Sequence, residues 1–577
     1  PRAWQAAARL TWQRLPDGDV TELARWDARL STSSVSEKRL QLKLTEAGTY
    51  VLRTEVLRGD ELVADLLASV VVGKASAEVT IDPLQKRLGR VDERFEDKIA
   101  SKGNAPQDRP PSESVVTPHV KWAKPLATGG LKTLILNDVL TERETVELAQ
   151  RVDMDYTAPT VASPGYIRNS GARLGRALTF EQAQENVARH LKDDFDVIAI
   201  GGLSGKILTD DMVETLMDKV RAGTGLVWVN PNNCPEAVWQ VLPLSGPPGG
   251  ARGRKQWQAS EEHYLTTGIP WAAMPPVSMS RYKAAGHVLA TAGDLPLLTV
   301  GELGKGRIVC LSYATSWQAP GFHKNGLTPW VQYAAAKFGY WEYYFSLLGK
   351  CMIWAGQKQP DVQFGPTAAG VAGYEIGSRE QPTLTPTLTN SGAAAELVAH
   401  VTVQDEYGHR VTTFEHAFRA EPGKSEITFT LPRLAGGLHV ADIIAKDSEG
   451  TVVDWTSVPV RVRAPVMIKE LAVDDDVYRV GDTVTAQVAL TCTAGGADSV
   501  QLRATLTDAH DRLVWIGERA ATGTSTGTDS ACDLTVELPE PRTTTALLRV
   551  EAHAAGKLLH AAEQRILTMP PSWDSRE

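Results

Sequence analysis

Cysteine, long apolar runs and clusters of positive charge are all scarce in this chain of 577 residues. Its five cysteines include no C-x-x-C pair, so a structural zinc site is not expected. No apolar run approaches the roughly 18 residues that a membrane-spanning helix needs. The net charge of −9, without a basic block, argues against a nucleic-acid partner. We therefore predict no metal, no cofactor, no nucleic-acid partner and no membrane span.

Two of the cysteines fall on predicted strands of the last β-rich segment. Cys492 and Cys532 could be joined by a disulfide across the sheet, or both could be buried free thiols. The sequence leaves both alternatives open.

Three stretches of the chain share one pattern of strands and turns. Each has an apolar strand, an alternating strand, a glycine turn and a second alternating strand, and the turns lie at Gly59, Gly450 and Gly556. Alternation with a period of two is typical of half-buried antiparallel strands. The recurrence predicts three immunoglobulin-like β-sandwiches that share a final hairpin. The first is short, and we expect it to have lost strands.

The middle of the chain follows a different pattern, in which apolar strands alternate with amphipathic helices. The predicted strands include Thr133–Val139, Asp196–Gly202 and Gly225–Asn230. Near-continuous apolar strands of this kind predict an open, flavodoxin-like α/β domain with a mainly parallel sheet covered on both faces. Before this domain, apolar residues from Leu84 to Ile99 repeat at helical spacing and predict one helix.

The predicted fold class is therefore multidomain, with one open α/β domain and three all-β sandwiches. The predicted boundaries are a short sandwich at 1–76, a helix and linker at 77–130, the α/β domain at 131–358, sandwiches at 359–465 and 466–570, and a linker at 571–577.

Several segments of the middle domain are similar to a known family. The resemblance to the class I glutamine amidotransferase-like fold is carried by FDVIAIGG, a helix and GTGLVWVN, then by HYLTTGIP (His263–Pro270) and GKGRIVCLSY. It is closest to domains that have lost or changed their activity. One such domain is the non-catalytic domain of trimeric β-galactosidases, which lies between a catalytic barrel and a β-sandwich. The resemblance implies a domain that positions or oligomerises a larger protein.

The catalytic residues of that family are not matched here. Active members place a cysteine in a tight G-x-C-x-G turn directly after the third strand, and a His-x-Glu pair after the late strand. In this chain the third strand runs into Pro231, and the thiol of Cys234 falls several residues late. The late position reads Leu311–Thr315, and no His-x-Glu occurs in the sequence. We therefore predict no catalytic residue.

An enzyme interpretation stays open beside this prediction. Cys234 lies near the carboxyl end of the predicted sheet, where open α/β sheets bind ligands. In a Cys-dependent hydrolase, His263 or His323 would act as the base. Asn232 or the Gly201–Gly202 backbone would supply the oxyanion site.

The predicted function is that of a non-catalytic structural or oligomerisation region in an exported, multidomain carbohydrate-processing protein of the glycoside hydrolase type. The chain starts at Pro1 and stops at PPSWDSRE, so we expect a processed piece. Self-association is expected from the resemblance to oligomerising domains. A catalytic barrel outside residues 1–577 is implied by the resemblance alone. The expected location is bacterial: secreted, periplasmic or on the cell surface.

A polysaccharide-binding module is a further interpretation. The chain has 15 tryptophans and a dense aromatic set near residues 330–345. Aromatic side chains offer an apolar body with a polar handle, which suits sugar rings. Trp330, Tyr340 and Tyr343 are the candidate carbohydrate-binding residues.

Overall fold

The structure is a computed structural model. It describes residues 4–14, 19–30, 38–41, 43, 48–59, 61–72, 117, 119–137, 141–159, 161, 180–203, 207–231, 234–249, 254–315, 326–330, 340–367, 374–375, 381–475, 477–479, 481–492, 500–509, 512–521, 529–538 and 543–568. Strands predominate over helices and fall into several separate sheets. This confirms a multidomain architecture with a large all-β content.

The N-terminal strands form one four-stranded antiparallel sheet of order β2-β1-β3-β4. They are β1 (Trp4–Arg14), β2 (Thr21–Leu30), β3 (Gly48–Arg58) and β4 (Glu61–Val72). The second layer that a sandwich requires is not among the residues described here. The helix predicted from Leu84 to Ile99 lies outside the described residues.

The middle of the chain builds a mixed sheet with helices. Its strands are β5 (Leu131–Asn137), β6 (Met154–Thr157), β7 (Val197–Gly201), β8 (Gly225–Val229), β9 (Leu244–Gly249), β10 (Arg254–Lys255), β11 (Trp257–Ala259), β12 (Val277–Ser278), β13 (Arg281–Ala284), β14 (His287–Ala292), β15 (Leu295–Leu303) and β16 (Gly306–Leu311). Its helices are α1 (Glu142–Arg151), α2 (Phe180–His190), α3 (Asp210–Ala222), α4 (Glu236–Trp239) and α5 (Tyr340–Ala355). We call the eight-stranded sheet, the short strands beside it and these helices the α/β unit.

The sheet of the α/β unit has the order β11-β14-β15-β16-β8-β7-β5-β6. From β16 to β6 neighbouring strands pair in parallel, and from β11 to β16 they pair antiparallel. Alternate residues of β7 enter two hydrophobic clusters: Val197 packs on the side of α1 and α5, and Ile198 on the side of α2 and α3. Because both faces are covered, the central strands are apolar along their whole length.

Local signals set the ends of the helix that follows β7. The side chain of Thr209 caps α3 by accepting a hydrogen bond from the Met212 N–H. The helix ends at Gly223, whose φ of +132° suits a residue without a Cβ atom. Its buried stripe, from Met212 to Val220, packs against the sheet.

The next segment is a β-sandwich, which we call the first sandwich. Its strands are β17 (Val362–Thr367), β18 (Tyr374–Glu375), β19 (Thr383–Leu384), β20 (Pro386–Asn390), β21 (Ala395–Asp405), β22 (Arg410–Ala420), β23 (Gly423–Glu426), β24 (Phe429–Thr430), β25 (Gly437–Lys446) and β26 (Val452–Arg463). The three-stranded sheet β17-β20-β23 faces the five-stranded sheet β18-β26-β25-β21-β22 across one apolar core.

The second sandwich repeats this topology. Its strands are β27 (Val466–Val473), β28 (Val477–Tyr478), β29 (Thr483–Cys492), β30 (Val500–Asp508), β31 (Leu513–Ala521), β32 (Asp529–Glu537), β33 (Thr545–Ala554) and β34 (Lys557–Thr568). The sheets are β27-β29-β32 and β28-β34-β33-β30-β31. In both sandwiches a short early strand pairs in parallel with the last strand. The strand order β2-β1-β3-β4 of the N-terminal sheet matches the order β31-β30-β33-β34 in the larger sheet of the second sandwich.

The two cysteines of the second sandwich are not joined in a disulfide. Cys492 ends β29, and Cys532 on β32 faces Val488 of the same strand β29. The two cysteines are therefore separated by four residues along a ladder, or about 14 Å at roughly 3.4 Å per residue. A disulfide needs Cα atoms closer than about 7 Å, so the disulfide alternative is wrong; of the two thiols Cys492 is buried and Cys532 is half-buried.

Candidate functional site

The carboxyl ends of the parallel strands are where a sheet of this type binds ligands. Three of these strands, β5, β7 and β8, end at Asn137, Gly201 and Val229. We call the residue directly after β8 the elbow position, because active members of the family that the sequence resembles carry their nucleophile in the turn that starts there. In this chain the elbow position holds Asn230.

Asn230 has a left-handed backbone, with φ of +48°, and is only 7% exposed. Its Oδ1 accepts hydrogen bonds from Ser280 Oγ and Tyr282 OH, both at 2.9 Å. Its Nδ2 donates to Thr315 Oγ1 at 3.3 Å. The backbone directly after β8 is therefore left-handed without a glycine, because asparagine tolerates this conformation better than most residues with a Cβ atom.

A short segment, Gly326–Trp330, lies against this edge of the sheet, and we call it the plug. A Cβ atom added to Gly326 would lie 1.9 Å from Asn137 Oδ1, and one added to Gly201 would lie 2.4 Å from the Gly326 carbonyl oxygen. The plug therefore touches the ends of β5 and β7 with no room for a side chain between them. The Gly201 backbone, proposed above as an oxyanion site, faces the plug.

A half-buried glutamate of α1 holds the plug in place. Glu144 of α1 accepts hydrogen bonds from the backbone N–H groups of Gly326, Leu327 and Thr328 and from the Thr328 hydroxyl. On the other side, Tyr313 OH donates to the Leu327 carbonyl oxygen. Burial raises the pKa of Glu144, and the hydrogen bonds from the plug oppose that shift. The polar groups at this edge are thus bonded to one another.

Cys234 does not have the surroundings of a nucleophile. It is half-buried against the cluster that contains α3, and its backbone N–H donates to the Pro231 carbonyl oxygen at 3.3 Å. Burial raises the pKa of its thiol to about 12. Reactive cysteines need a lowered pKa, since the thiolate is the attacking form.

The structure does not bring His263 to Cys234. The His263 ring packs edge-on against Trp354, with centroids 5.5 Å apart. Trp354 precedes Ala355, whose carbonyl oxygen would lie 2.3 Å from a Cβ atom on Gly225, the first residue of β8. His263 is therefore near the start of β8, whereas Cys234 follows its end. Burial also lowers the pKa of His263. The other two candidates, His323 and Asn232, lie outside the described residues.

The aromatic candidates are distributed between the core and the plug. Tyr343 is 2% exposed, and its hydroxyl donates to Asp442 of the first sandwich at 3.5 Å. Trp330 is half-buried in the plug, and its backbone N–H donates to the Ala314 carbonyl oxygen at 2.9 Å. The side chain of Tyr340 is outside the described residues. Tyr343 is therefore a packing residue rather than a surface for sugar.

The HYLTTGIP motif joins the α/β unit to the first sandwich, and we call this segment, His263–Pro270, the clasp. The Gly268 carbonyl oxygen accepts a hydrogen bond from the Ser457 N–H at 2.9 Å. Gly268 has φ of +75°, and a Cβ atom there would lie 2.8 Å from Thr456 Cα. Only glycine satisfies both the left-handed backbone and this close approach.

A buried ion pair lies beside the clasp. Lys350 Nζ of α5 and Asp454 Oδ1 of β26 are 3.2 Å apart, with side chains 0% and 1% exposed. Lys350 Nζ also lies 4.5 Å from the Tyr264 ring and 4.7 Å from the Trp455 ring. Burial lowers the pKa of Lys350 and raises that of Asp454, and their mutual attraction opposes both shifts.

The α/β unit and the first sandwich also share a hydrophobic core. Val440, Val452 and Trp455 of the sandwich belong to the same cluster as α5. Trp455 Nε1 donates to Ser346 Oγ at 2.7 Å. This joint was not predicted from the sequence. Its one visible signal is a lysine, Lys350, within the otherwise apolar run SLLGKCMIWA.

The described part of the chain lacks both a cluster of metal ligands and a membrane-spanning helix. It contains no group of three or more His, Cys, Asp or Glu side chains placed to hold a metal ion. None of its helices combines the length and apolar character needed to cross a bilayer.

The comparisons with known proteins give a family of unknown function. Residues 177–328 match a family described as a domain of unknown function, DUF7408. The matched range contains Asn230 and the clasp. No curated protein matches the chain.

Three solved structures overlap parts of the chain. The cytoplasmic proteins STM1381 of Salmonella typhimurium LT2 and STM3548 of Salmonella typhimurium each cover 39% of this chain and 99% of their own, at 15% identity and a TM-score of 0.27. A proposed β-galactosidase of Bacteroides fragilis covers 34% of both chains, at 13% identity and a TM-score of 0.17. TM-scores this low do not define a shared fold.

Proposed function

We propose that this chain is a non-catalytic structural region of an exported, multidomain carbohydrate-processing protein of the glycoside hydrolase type. In this proposal the α/β unit is an amidotransferase-like domain that has lost its nucleophile. The observation that carries it is Asn230, an amide at the elbow position that is bonded to Ser280, Tyr282 and Thr315 beside the plug.

The chemistry of this edge supports an inert domain. A carboxamide is not a nucleophile, and each hydrogen bond that fixes Asn230 would have to break before a substrate could take its place. The contacts of Gly201 and Gly326 leave no gap between the sheet and the plug. Acyl transfer also needs free donors at an oxyanion site, and the described plug N–H groups at Gly326, Leu327 and Thr328 all point to Glu144.

The joint with the first sandwich supports a positioning role. A shared core, the clasp and the Lys350–Asp454 pair fix the orientation of two units. Large apolar interfaces between domains suppress relative motion. A rigid block of this kind would hold neighbouring domains at set positions. Self-association is part of the proposal and would set those positions in an assembly.

A Cys-dependent hydrolase is the competing function, and the surroundings of Cys234 weigh against it. Its thiol has a raised pKa, and among the described residues no imidazole is hydrogen-bonded to it. The experiment is native labelling with iodoacetamide at neutral pH, followed by mass spectrometry, with C234S as the control. We expect Cys234 to react no faster than free cysteine; selective, faster labelling of Cys234 would overturn the proposal.

The assembly part has its own test. Light scattering of the purified chain at micromolar concentration should give a mass above that of one chain. A strict monomer would remove self-association from the proposal and leave the inert domain in place.

A further inference from the structure

An open groove of about 490 Å³ lies between the clasp side of the α/β unit and strands β17 and β26 of the first sandwich. Its volume is within the range of small-molecule sites, about 300–1,000 Å³. It is separate from the carboxyl edge of the parallel sheet, the plug and Asn230.

Two close contacts fix the walls of the groove, one between the two units and one within the first sandwich. One wall is held by the Ser457 to Gly268 hydrogen bond of the clasp. Within the first sandwich, a Cβ atom added to Gly365 of β17 would lie 2.1 Å from Thr387 Oγ1, so this backbone also passes its neighbour closely. A groove that is formed before a ligand arrives saves the ligand the free energy of ordering it.

Trp271 supplies an aromatic surface in the groove. Its side chain is half-buried, and its Nε1 donates to the Thr266 carbonyl oxygen at 3.0 Å. The ring packs against Trp257, with centroids 6.1 Å apart. Both contacts hold the ring in place while part of it lines the groove. A fixed aromatic face can receive the apolar face of a sugar ring.

The polar groups of the groove are acceptors and hydroxyls. Glu262 is exposed and has no ion pair among the described residues. In its neighbour Glu261, Oε1 lies 2.6 Å from His287 Nε2. Thr267 and Thr367 add hydroxyl groups. A carboxylate can accept hydrogen bonds from two adjacent hydroxyls at once. Because the described lining contains no lysine or arginine, an anionic ligand has no counter-charge there.

We infer that this groove binds a neutral oligosaccharide, with one sugar ring on Trp271 and neighbouring hydroxyls hydrogen-bonded to Glu262. The inference takes its ligand class from the proposed function. It does not depend on whether Cys234 is inert.

Calorimetric titration of the full chain with cellotetraose, xylotetraose, β-1,4-galactotetraose and chitotetraose tests it. At least one should bind saturably at millimolar or lower concentration. E262Q should then weaken binding about tenfold, because a neutral amide oxygen accepts a weaker hydrogen bond than a carboxylate does. W271A should weaken it at least as much, and W271F should restore part of it. E302Q, a change of an exposed carboxylate on β15, should leave binding unchanged.

Two outcomes would overturn the inference: no saturable binding to any of the four sugars, or binding that E262Q leaves unchanged. Its failure and that of the proposed function are distinguishable. Slow labelling of Cys234 together with no sugar binding would overturn only the inference that the groove binds sugar. Fast labelling of Cys234 together with sugar binding would overturn only the proposal that the α/β unit is non-catalytic.

Discussion

The carboxyl edge of the parallel sheet and the joint with the first sandwich both bury polar groups, but the two regions use them differently. At the edge, Asn230 and Glu144 bond to residues of the same part of the chain, and the described contacts of Gly201 and Gly326 leave no room for a side chain between the sheet and the plug. At the joint, Lys350 and Gly268 bond to another unit, and an open groove remains beside them. Polar residues in a cleft therefore do not by themselves indicate catalysis; what they bond to decides their role.

The largest effect should come from breaking the buried pair at the joint. D454A leaves the Lys350 ammonium buried without its partner, which should lower the free energy of unfolding by about 3–5 kcal/mol. Urea denaturation measures this loss in the unfolding transition of the α/β unit. The double variant K350M/D454L removes both charges and should recover most of the loss. A loss below about 1 kcal/mol in D454A would contradict the role of the pair.

The clasp glycine should have the next largest effect. G268A forces a left-handed alanine against Thr456, which should destabilise the joint by about 1–3 kcal/mol and speed hydrogen exchange of the Ser457 N–H. G450A is the matched control, since Gly450 has φ of +79° but nothing within 4 Å of an added Cβ atom. Exchange at Ser457 that responds equally to both variants would show that the close approach is not what holds the joint.

At the sheet edge, N230A separates hydrogen bonding from backbone strain. It removes the partners of buried Ser280, Tyr282 and Thr315 and keeps the left-handed backbone, so it should cost about 1–3 kcal/mol. N230G loses the same bonds but relieves the strain, and should cost about 1 kcal/mol less. Thermal unfolding followed by circular dichroism compares the two. A neutral N230A would mean that the amide does not hold this edge together.

The smallest effect is a pH dependence from Cys234. Its thiol has a pKa raised from 9.0 to about 12, so between these values the folded state binds more protons than the unfolded state. Stability from this group is therefore unaffected at neutral pH and falls as pH rises above 9. C234S should remove that part of the alkaline loss.

The labelling rate of Cys234 gives a second measure of the same shift. It should keep rising with pH above 9 instead of levelling off as it does for an ordinary thiol. A plateau near neutral pH would contradict a buried, protonated thiol.

The strands and turns were predictable because they leave local patterns. The apolar runs at β5, β7 and β8 and the turn glycines Gly59 and Gly450 are found where the sequence indicates, with positive φ at both glycines. The joint and the plug were not, since Lys350 meets a residue 104 positions away and Glu144 meets residues more than 180 positions away. Contacts at such distances leave no periodic trace. The left-handed elbow was missed because an asparagine rather than a glycine supplies it.

A crystal structure of the chain tests most directly whether the carboxyl edge is closed. We expect the Asn230 amide to be bonded to Tyr282 and Thr315, the plug to lie against Gly201, and no imidazole to contact the Cys234 sulfur. An imidazole from His263 or His323 hydrogen-bonded to that sulfur, at the mouth of an open pocket, would contradict it.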